Sequence, residues 1–278
     1  MMKVAYTGWT WITHKAEPEY AKKDLEAFFR ECKYVGYDYL ENFAFIRDYY
    51  AENPQELIDL QKKYDVKLVN LYGHFSFEEE AMLENAKKQV EFLAAIGGKW
   101  FNCQNTRFND DGPPERPTDP KMIDIMCRIS NKLGEYSKKL GVTVCFHPHY
   151  GTCVLTQSDI DYFAKNTNPE YVSFCIDTAH TVLGGMDPAR LIKQLGSRIQ
   201  YIHLKDVDTY ALAKAKGLEK MGTYRALGFV TVDFRAVKAV LEEIGYDGVL
   251  CVELDRPPIC NYNSAEISRK YIRDVLGL

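Results

Sequence analysis

Short apolar runs alternate with longer amphipathic ones along the whole chain. "KVAYTGW" is strand-like, and "KKDLEAFFRECKYVG" after it has helical spacing and stops at Gly36. "YDYLENF" and "NPQELIDLQKKYD" repeat the pair. In the third unit "VKLVNLYGHF" precedes "EEEAMLENAKKQVEFLAAIG", where Leu83, Ala86, Val90 and Leu93 recur on one helical face. "KWFNCQN" predicts a fourth strand. The Pro-rich loop "DDGPPERPTDP" then leads into a long helix ending at Gly141.

The second half keeps the same rhythm. "VTVCFHPH" stands before a helix near 156–167, and "YVSFCIDTAH" before "DPARLIKQLG". "IQYIHLKDV" stands before a long polar loop and "VDFRAVKAVLEEIG", and "GVLCVELD" before "NSAEISRKYIRDVLG". Phe234, Val237, Leu241 and Ile244 form one apolar stripe. "LGGMDP" reads as a helix start rather than a phosphate loop, with Asp187 as N-cap and Pro188 at the first helical position.

About eight strand–helix units with no linker between them predict one α/β domain over residues 1–278, a (β/α)8 TIM barrel, which takes roughly 250 residues. A doubly wound open sheet is the competing architecture. The unit count favours the barrel, and no glycine-rich phosphate fingerprint follows the first strand.

A barrel carries its chemistry at the C-terminal strand ends. Four of the six histidines, His147, His149, His180 and His203, fall on three consecutive strand ends, and His74 on a fourth. Strand alternation puts Cys145, His147 and His149 on one face. It likewise pairs Cys175 with Asp177, Tyr201 with His203, and Cys251 with Glu253. The cysteines then pack one layer below the site and are neither ligands nor nucleophiles. His147, Asp177, His203 and Glu253 form a nitrogen and oxygen donor set that suits Mn²⁺, Co²⁺, Fe²⁺ or Zn²⁺. Polar caps on strand ends explain any one of these residues. Four at coordinated positions favour a metal site, with manganese the first choice. Trp9, Glu41, His74 and Asp255 are the candidate substrate-binding residues. Trp9 and Trp11 suit a stacking wall and a core position equally well.

Composition narrows the partners. The 278 residues carry a formal net charge of −4, 46% hydrophobic and 27% charged residues, which is ordinary for a globular protein. An acidic chain does not favour nucleic acid or an acidic membrane. No apolar run is long enough to cross a bilayer and no leader pattern opens the chain. The eight cysteines show no C-x-x-C pair. A cytoplasmic protein with a small-molecule substrate is expected, with room for a homo-oligomer.

"FCIDTAHTVLGGMDP", "RIQYIHLKDV" and "GYDGVLCVELD" resemble the sugar isomerase/epimerase-type barrels of the xylose-isomerase-like superfamily. "CFHPHYGTCV" with "DTAH" and "HLKDV" is most similar to the inosose (2-keto-myo-inositol) dehydratase branch. The resemblance implies one divalent metal on His147, Asp177, His203 and Glu253. It also implies a lyase that removes a proton beside the ketone of a cyclic keto-polyol and expels a β-hydroxyl. His149 or His180 would be the base with Glu253 in reserve, and Lys205 would offset enolate charge or bind a substrate oxygen. Ketose epimerases of the superfamily have a glutamate where His147 stands, which disfavours two-carboxylate epimerisation. A ketose 3-epimerase or aldose–ketose isomerase remains the rival enzyme. A silent sugar-binding or partner subunit is the rival outside catalysis. A second departure is Val230 in "LGFVTVDF", where the family often has glycine, so the loop there is expected to fold differently. The segment from Val207 to Thr231, about two dozen residues, is expected to cover the site or to serve as an oligomer contact.

Overall fold

The computed structural model describes residues 2–12, 17–105 and 118–278. Of the Pro-rich run at 110–120, residues 110–117 lie outside them. Eight parallel strands close into a barrel: β1 Lys3–Thr7, β2 Tyr39–Phe43, β3 Lys67–Phe75, β4 Trp100–Asn105, β5 Thr143–Phe146, β6 Val172–Asp177, β7 Ile199–Leu204 and β8 Val249–Val252. Each pairs with its sequence neighbours, and β1 pairs with β8 to complete the ring. Helices fill the connections, so the expected TIM barrel is the architecture found. No helix among the described residues is long and apolar enough to cross a membrane.

The helices form where the amphipathic runs place them. The first, Pro18–Val35, buries Leu25, Phe28, Phe29 and Cys32 against the barrel and ends at Gly36. Helix Pro188–Leu195 begins as expected, with the Asp187 side chain accepting from the Arg190 amide at 2.7 Å. In helix Glu79–Ala95 the buried face is Met82, Ala86, Val90, Phe92 and Leu93. Leu83 is only partly buried, because the face that meets the barrel is turned by one residue toward Met82.

Two strands end earlier than their apolar runs. β5 stops at Phe146, although the His147 amide still donates to the Cys103 carbonyl at 2.7 Å. Pro148 has no N–H to continue the ladder. β6 stops at Asp177, whose side chain caps a short helix, Thr178–Leu183. His180 therefore sits in the first turn of a helix and not on a strand end.

The barrel interior is layered by strand alternation. Ala5, Val69, Cys145, Cys175, Tyr201, Val249 and Cys251 pack together, with Tyr39 and Trp100 against them. The cysteines fill space one step below the polar residues, as expected. All eight are free thiols.

The long segment after β7 is built, not loose. Asp206–Val207 pairs antiparallel with Tyr224–Arg225, and a short helix, Thr209–Lys214, and a 3-10 turn, Gly217–Thr223, lie between them. Asp206 is fully buried, and its carboxylate gathers the end of the segment. One oxygen accepts from the amides of Gly228, Phe229 and Val230, the other from those of Thr231, Val232 and Val207, all at 3.0–3.2 Å. Gly228 has a φ of +84° and packs where a Cβ would strike the Tyr271 ring. Val230 needs no glycine, because its amide points at the carboxylate and its side chain is exposed.

Asp206→Asn puts an NH2 group among amide donors. A buried acceptor lost from such a set costs about 2–4 kcal/mol. Asp208 caps helix Thr209–Lys214 at the surface, and Asn caps as well as Asp. Chemical denaturation should therefore show a loss of that size for Asp206→Asn and a loss below about 0.5 kcal/mol for Asp208→Asn. Equal stabilities for the two variants would contradict the role given to Asp206.

Candidate active site

Three sequence motifs explain how the site is held. In "DTAHT", Asp177 Oδ1 accepts from the His180 amide at 2.9 Å, which leaves Oδ2 turned to the barrel interior. Thr178 Oγ1 donates to the Lys205 carbonyl at 2.7 Å and accepts from the Lys205 amide at 2.9 Å, so the ends of β6 and β7 are fastened together. In "HPHYGT", the Thr152 amide donates to the His149 carbonyl at 3.2 Å across a β-turn, with Gly151 at φ +84° in its third position. Thr152 Oγ1 donates to the same carbonyl. In "HLKD", alternation sends His203 and Lys205 inward and Asp206 outward to the loop.

His203 is the centre of a dry charge cluster. Its Nε2 lies 3.0 Å from Glu41, which also accepts from Asn102 Nδ2 at 2.9 Å. Its Nδ1 lies 2.8 Å from Glu253 Oε2, off the direction of a ring hydrogen bond, so this is an ion-pair contact. Lys205 is wholly buried and reaches Asp255 at 2.8 Å and Glu253 at 3.3 Å, under the ring of Tyr224. Burial opposes protonation of His203, but Cys175, Glu41 and Glu253 together outweigh it and its pKa is raised. Burial also works against Lys205, and Asp255 and Glu253 likewise win. Burial would raise Glu253, yet Lys205 and His203 hold it well below the usual carboxylate range. Burial pushes Asp177 up to about 7 against the pull of Lys205. His147 is depressed by burial and by His203, so it is a neutral imidazole.

The donor set fits a divalent cation. Asp177, His203 and Glu253 bring ligand atoms within 4.8 Å of one another. His147 Nε2, Asp177 Oδ2 and Glu253 Oε2 are buried with no hydrogen-bond partner, a costly state that a cation would relieve. His147 does not close on the same three atoms. It groups with His203 and Cys175, and separately with His149 and His180. Its Nδ1 lies 3.3 Å from Cys175 Sγ. Burial pushes the Cys175 thiol up to about 12, so it is protonated and a poor ligand beside imidazoles and carboxylates.

Above the cluster opens a cavity of about 640 Å³, lined by Trp9, Phe43, Tyr72, His74, Gln104, His149, Met221, Glu253 and Asp255 among others. Of the expected substrate-binding residues, Trp9, His74 and Asp255 reach it. Glu41 does not, because it is fully buried against His203 and Asn102. Lys205 is also set behind the wall, where it fixes two carboxylates instead of meeting a substrate oxygen. The two tryptophans divide the roles left open between them. Trp9 packs on Phe43 at the cavity (4.7 Å between centroids), whereas Trp11 is core and donates to Glu31 at 2.8 Å. His149 lines the cavity and His180 stands behind it, ring centroids 3.7 Å apart. Met221 brings the segment after β7 to the cavity wall. Asn102 and Gln104 belong to the fourth strand end, where sequence placed the chemistry, whereas Tyr72 was not singled out although it shares an inward-facing strand position with the histidines. Asp48, Asn85 and Gln89 reach the cavity from helices and had no sequence signal.

Comparison with known proteins agrees with this geometry. The model of the xylose isomerase-like TIM barrel family matches residues 29–275. An inosose dehydratase of Geobacillus thermodenitrificans is 32% identical over 219 residues, covering 73% of this chain and 72% of that protein. An inosose dehydratase of Clostridium beijerinckii is 33% identical over 247 residues, covering 81% and 83%. Among solved structures, an IolI protein with a bound zinc atom superposes with a TM-score of 0.78 at 18% identity over 99% of this chain and 98% of that one. An L-ribulose 3-epimerase gives 0.76 at 16% over 100% and 95%. Those two likenesses concern the fold. With a closed barrel, a buried donor set at its C-terminal mouth and a family match over most of its length, the chain belongs to the xylose isomerase-like TIM barrel family.

Proposed function

We propose that the chain is a metal-dependent carbon–oxygen lyase that dehydrates a cyclic keto-polyol of the inosose class. The observation that carries this reading is His149 in the cavity wall beside a buried donor set, in which His147 Nε2, Asp177 Oδ2 and Glu253 Oε2 have no hydrogen-bond partner. His149 Nδ1 lies 2.6 Å from the Tyr150 carbonyl. A carbonyl only accepts, so Nδ1 carries a proton, and in the neutral imidazole Nε2 is the atom that would act as the base. The inosose dehydratase relatives, which match across most of the chain, support the same reaction.

A divalent transition metal, manganese first, held by His147, Asp177, His203 and Glu253 would polarise the substrate ketone as a Lewis acid. The chain supplies the rest. His149 takes the proton from the carbon next to the ketone at Nε2. The carbon–oxygen bond at the next carbon breaks, and the hydroxyl leaves as water with the proton that His149 returns. No net proton stays on the protein. Lys205, locked to Asp255 and Glu253, holds both carboxylates in place. Trp9 and Phe43 offer an aromatic wall to the apolar face of the ring, and Met221 adds an apolar contact from the segment after β7. Epimerisation by two opposed carboxylates would need a carboxylate where His147 stands. Eight free thiols, seven of them buried, suit a reducing cytoplasm.

Purified protein should carry about one divalent metal per chain. Asp177→Ala or His203→Ala should lose it, because each removed donor leaves an open position. Full activity after chelation and dialysis, with no metal detected, would overturn the metal assignment. With inosose, the loaded enzyme should release one water per turnover. His149→Gln should keep its metal while kcat falls by about 10²–10⁴-fold. Exchange of a substrate proton without water loss would point to the epimerase instead, and loss of metal in His149→Gln would make His149 a ligand and not a base.

A further inference from the structure

The cavity wall across from Glu253 is made of amides. Gln104 is the inward residue at the end of β4, which lies opposite β8 in the ring of strands. It is 2% exposed, it lines the cavity, and its Oε1 is buried with no hydrogen-bond partner. Gln89, from helix Glu79–Ala95, lines the same cavity, and its Oε1 is also buried and unpartnered. Gly73 on β3 makes room for it. A Cβ at Gly73 would come within 3.0 Å of Gln89 Oε1 and 2.6 Å of the Phe101 ring. Each of these two amide oxygens forfeits a hydrogen bond that its burial makes costly to lose. Both residues line the cavity, and a hydroxyl that reached either oxygen from there would supply the missing donor.

We infer that Gln104 and Gln89 are specificity-determining residues that accept hydrogen bonds from hydroxyls on the part of the polyol ring remote from the ketone. This rests on the dehydratase reading for the orientation of the ring but not for the recognition itself. The division of the cavity supports it. The donor set and His149 lie on the β5–β8 side, and the aromatic side chains Trp9, Phe43 and His74 follow β1–β3, with His74 stacked on Phe43 at an interplanar angle of 13°. A ring whose ketone faces the metal and whose apolar face meets the aromatics turns its far hydroxyls toward β4. A site built to accept from a hydroxyl rejects the analogue without it, because the acceptor is again left unpaired. A wall of hydrophobic side chains at these two positions would leave that hydroxyl unread.

The test is direct binding, with no turnover. Titration calorimetry on the metal-loaded protein would use myo-inositol and a set of monodeoxy-inositols. Wild type should bind at least one monodeoxy compound about 10-fold or more weaker than myo-inositol. Gln104→Leu, and separately Gln89→Leu, should weaken myo-inositol by about that factor and leave the discriminated deoxy compound within about 2-fold. Circular dichroism and metal content would show that each variant is folded and loaded. If Gln104→Leu does not fold, Gln89→Leu alone decides. The inference is overturned if the variants shift all compounds equally or none, or if wild type binds no polyol. A protein that binds and discriminates polyols but releases no water from inosose leaves this inference standing and overturns the dehydratase reading.

Discussion

Titratable groups held away from water set the terms for the upper half of this barrel. Glu41, Asp177, His203, Lys205 and Glu253 are all within 5% of full burial. An uncompensated charge in such a place costs several kcal/mol, so each must face a partner within a few ångströms. The pairs His203 with Glu41, His203 with Glu253 and Lys205 with Asp255 meet that demand. Asp177 meets it only in part: one oxygen caps a helix, and the other has no hydrogen bond. His147 offers a bare nitrogen nearby. The cluster is balanced except along the line where a cation would sit.

The rest of the fold serves that cluster. The thiols of Cys145, Cys175 and Cys251 fill the layer beneath it with small apolar volume and bring no charge of their own. Thr178 fastens β6 to β7, and Gly151 turns the chain after His149 so that its ring faces the cavity. Asp206 looks outward from the same strand end as Lys205. By gathering six amides it fixes the segment that carries Tyr224 over Lys205 and Met221 to the cavity. One strand end thus supports the charge cluster on its inner side and the cover on its outer side.

Much of this was legible in the chain because strand alternation and barrel topology are strict. A period of two residues assigns Cys175 and Asp177, or Cys251 and Glu253, to one face without any coordinates, and a barrel sends all such ends to one mouth. What escaped has physical reasons. Pro148 ended β5 early, and the capping power of Asp177 moved His180 from a strand to a helix. Glu41 and Lys205 face inward as expected, but the mutual attraction of buried charges drew them to His203, Glu253 and Asp255 and away from the cavity. Gln89, Asn85 and Asp48 stand on helices, where no periodicity marks which polar residue bends over a barrel mouth. Asp206 stands in the HLKDV motif, but its role did not show in sequence, because the donors it gathers are backbone amides.

The central claim is that nitrogen and oxygen donors from β5 to β8 hold one metal ion and that the thiol beneath them does not. X-ray absorption spectroscopy of the metal-loaded protein addresses it directly. The account predicts a shell of nitrogen and oxygen at about 2.0–2.2 Å with the outer-shell pattern of imidazole, and no sulfur. A sulfur shell near 2.3 Å, the distance of a metal–thiolate bond, would place Cys175 in the site and contradict it.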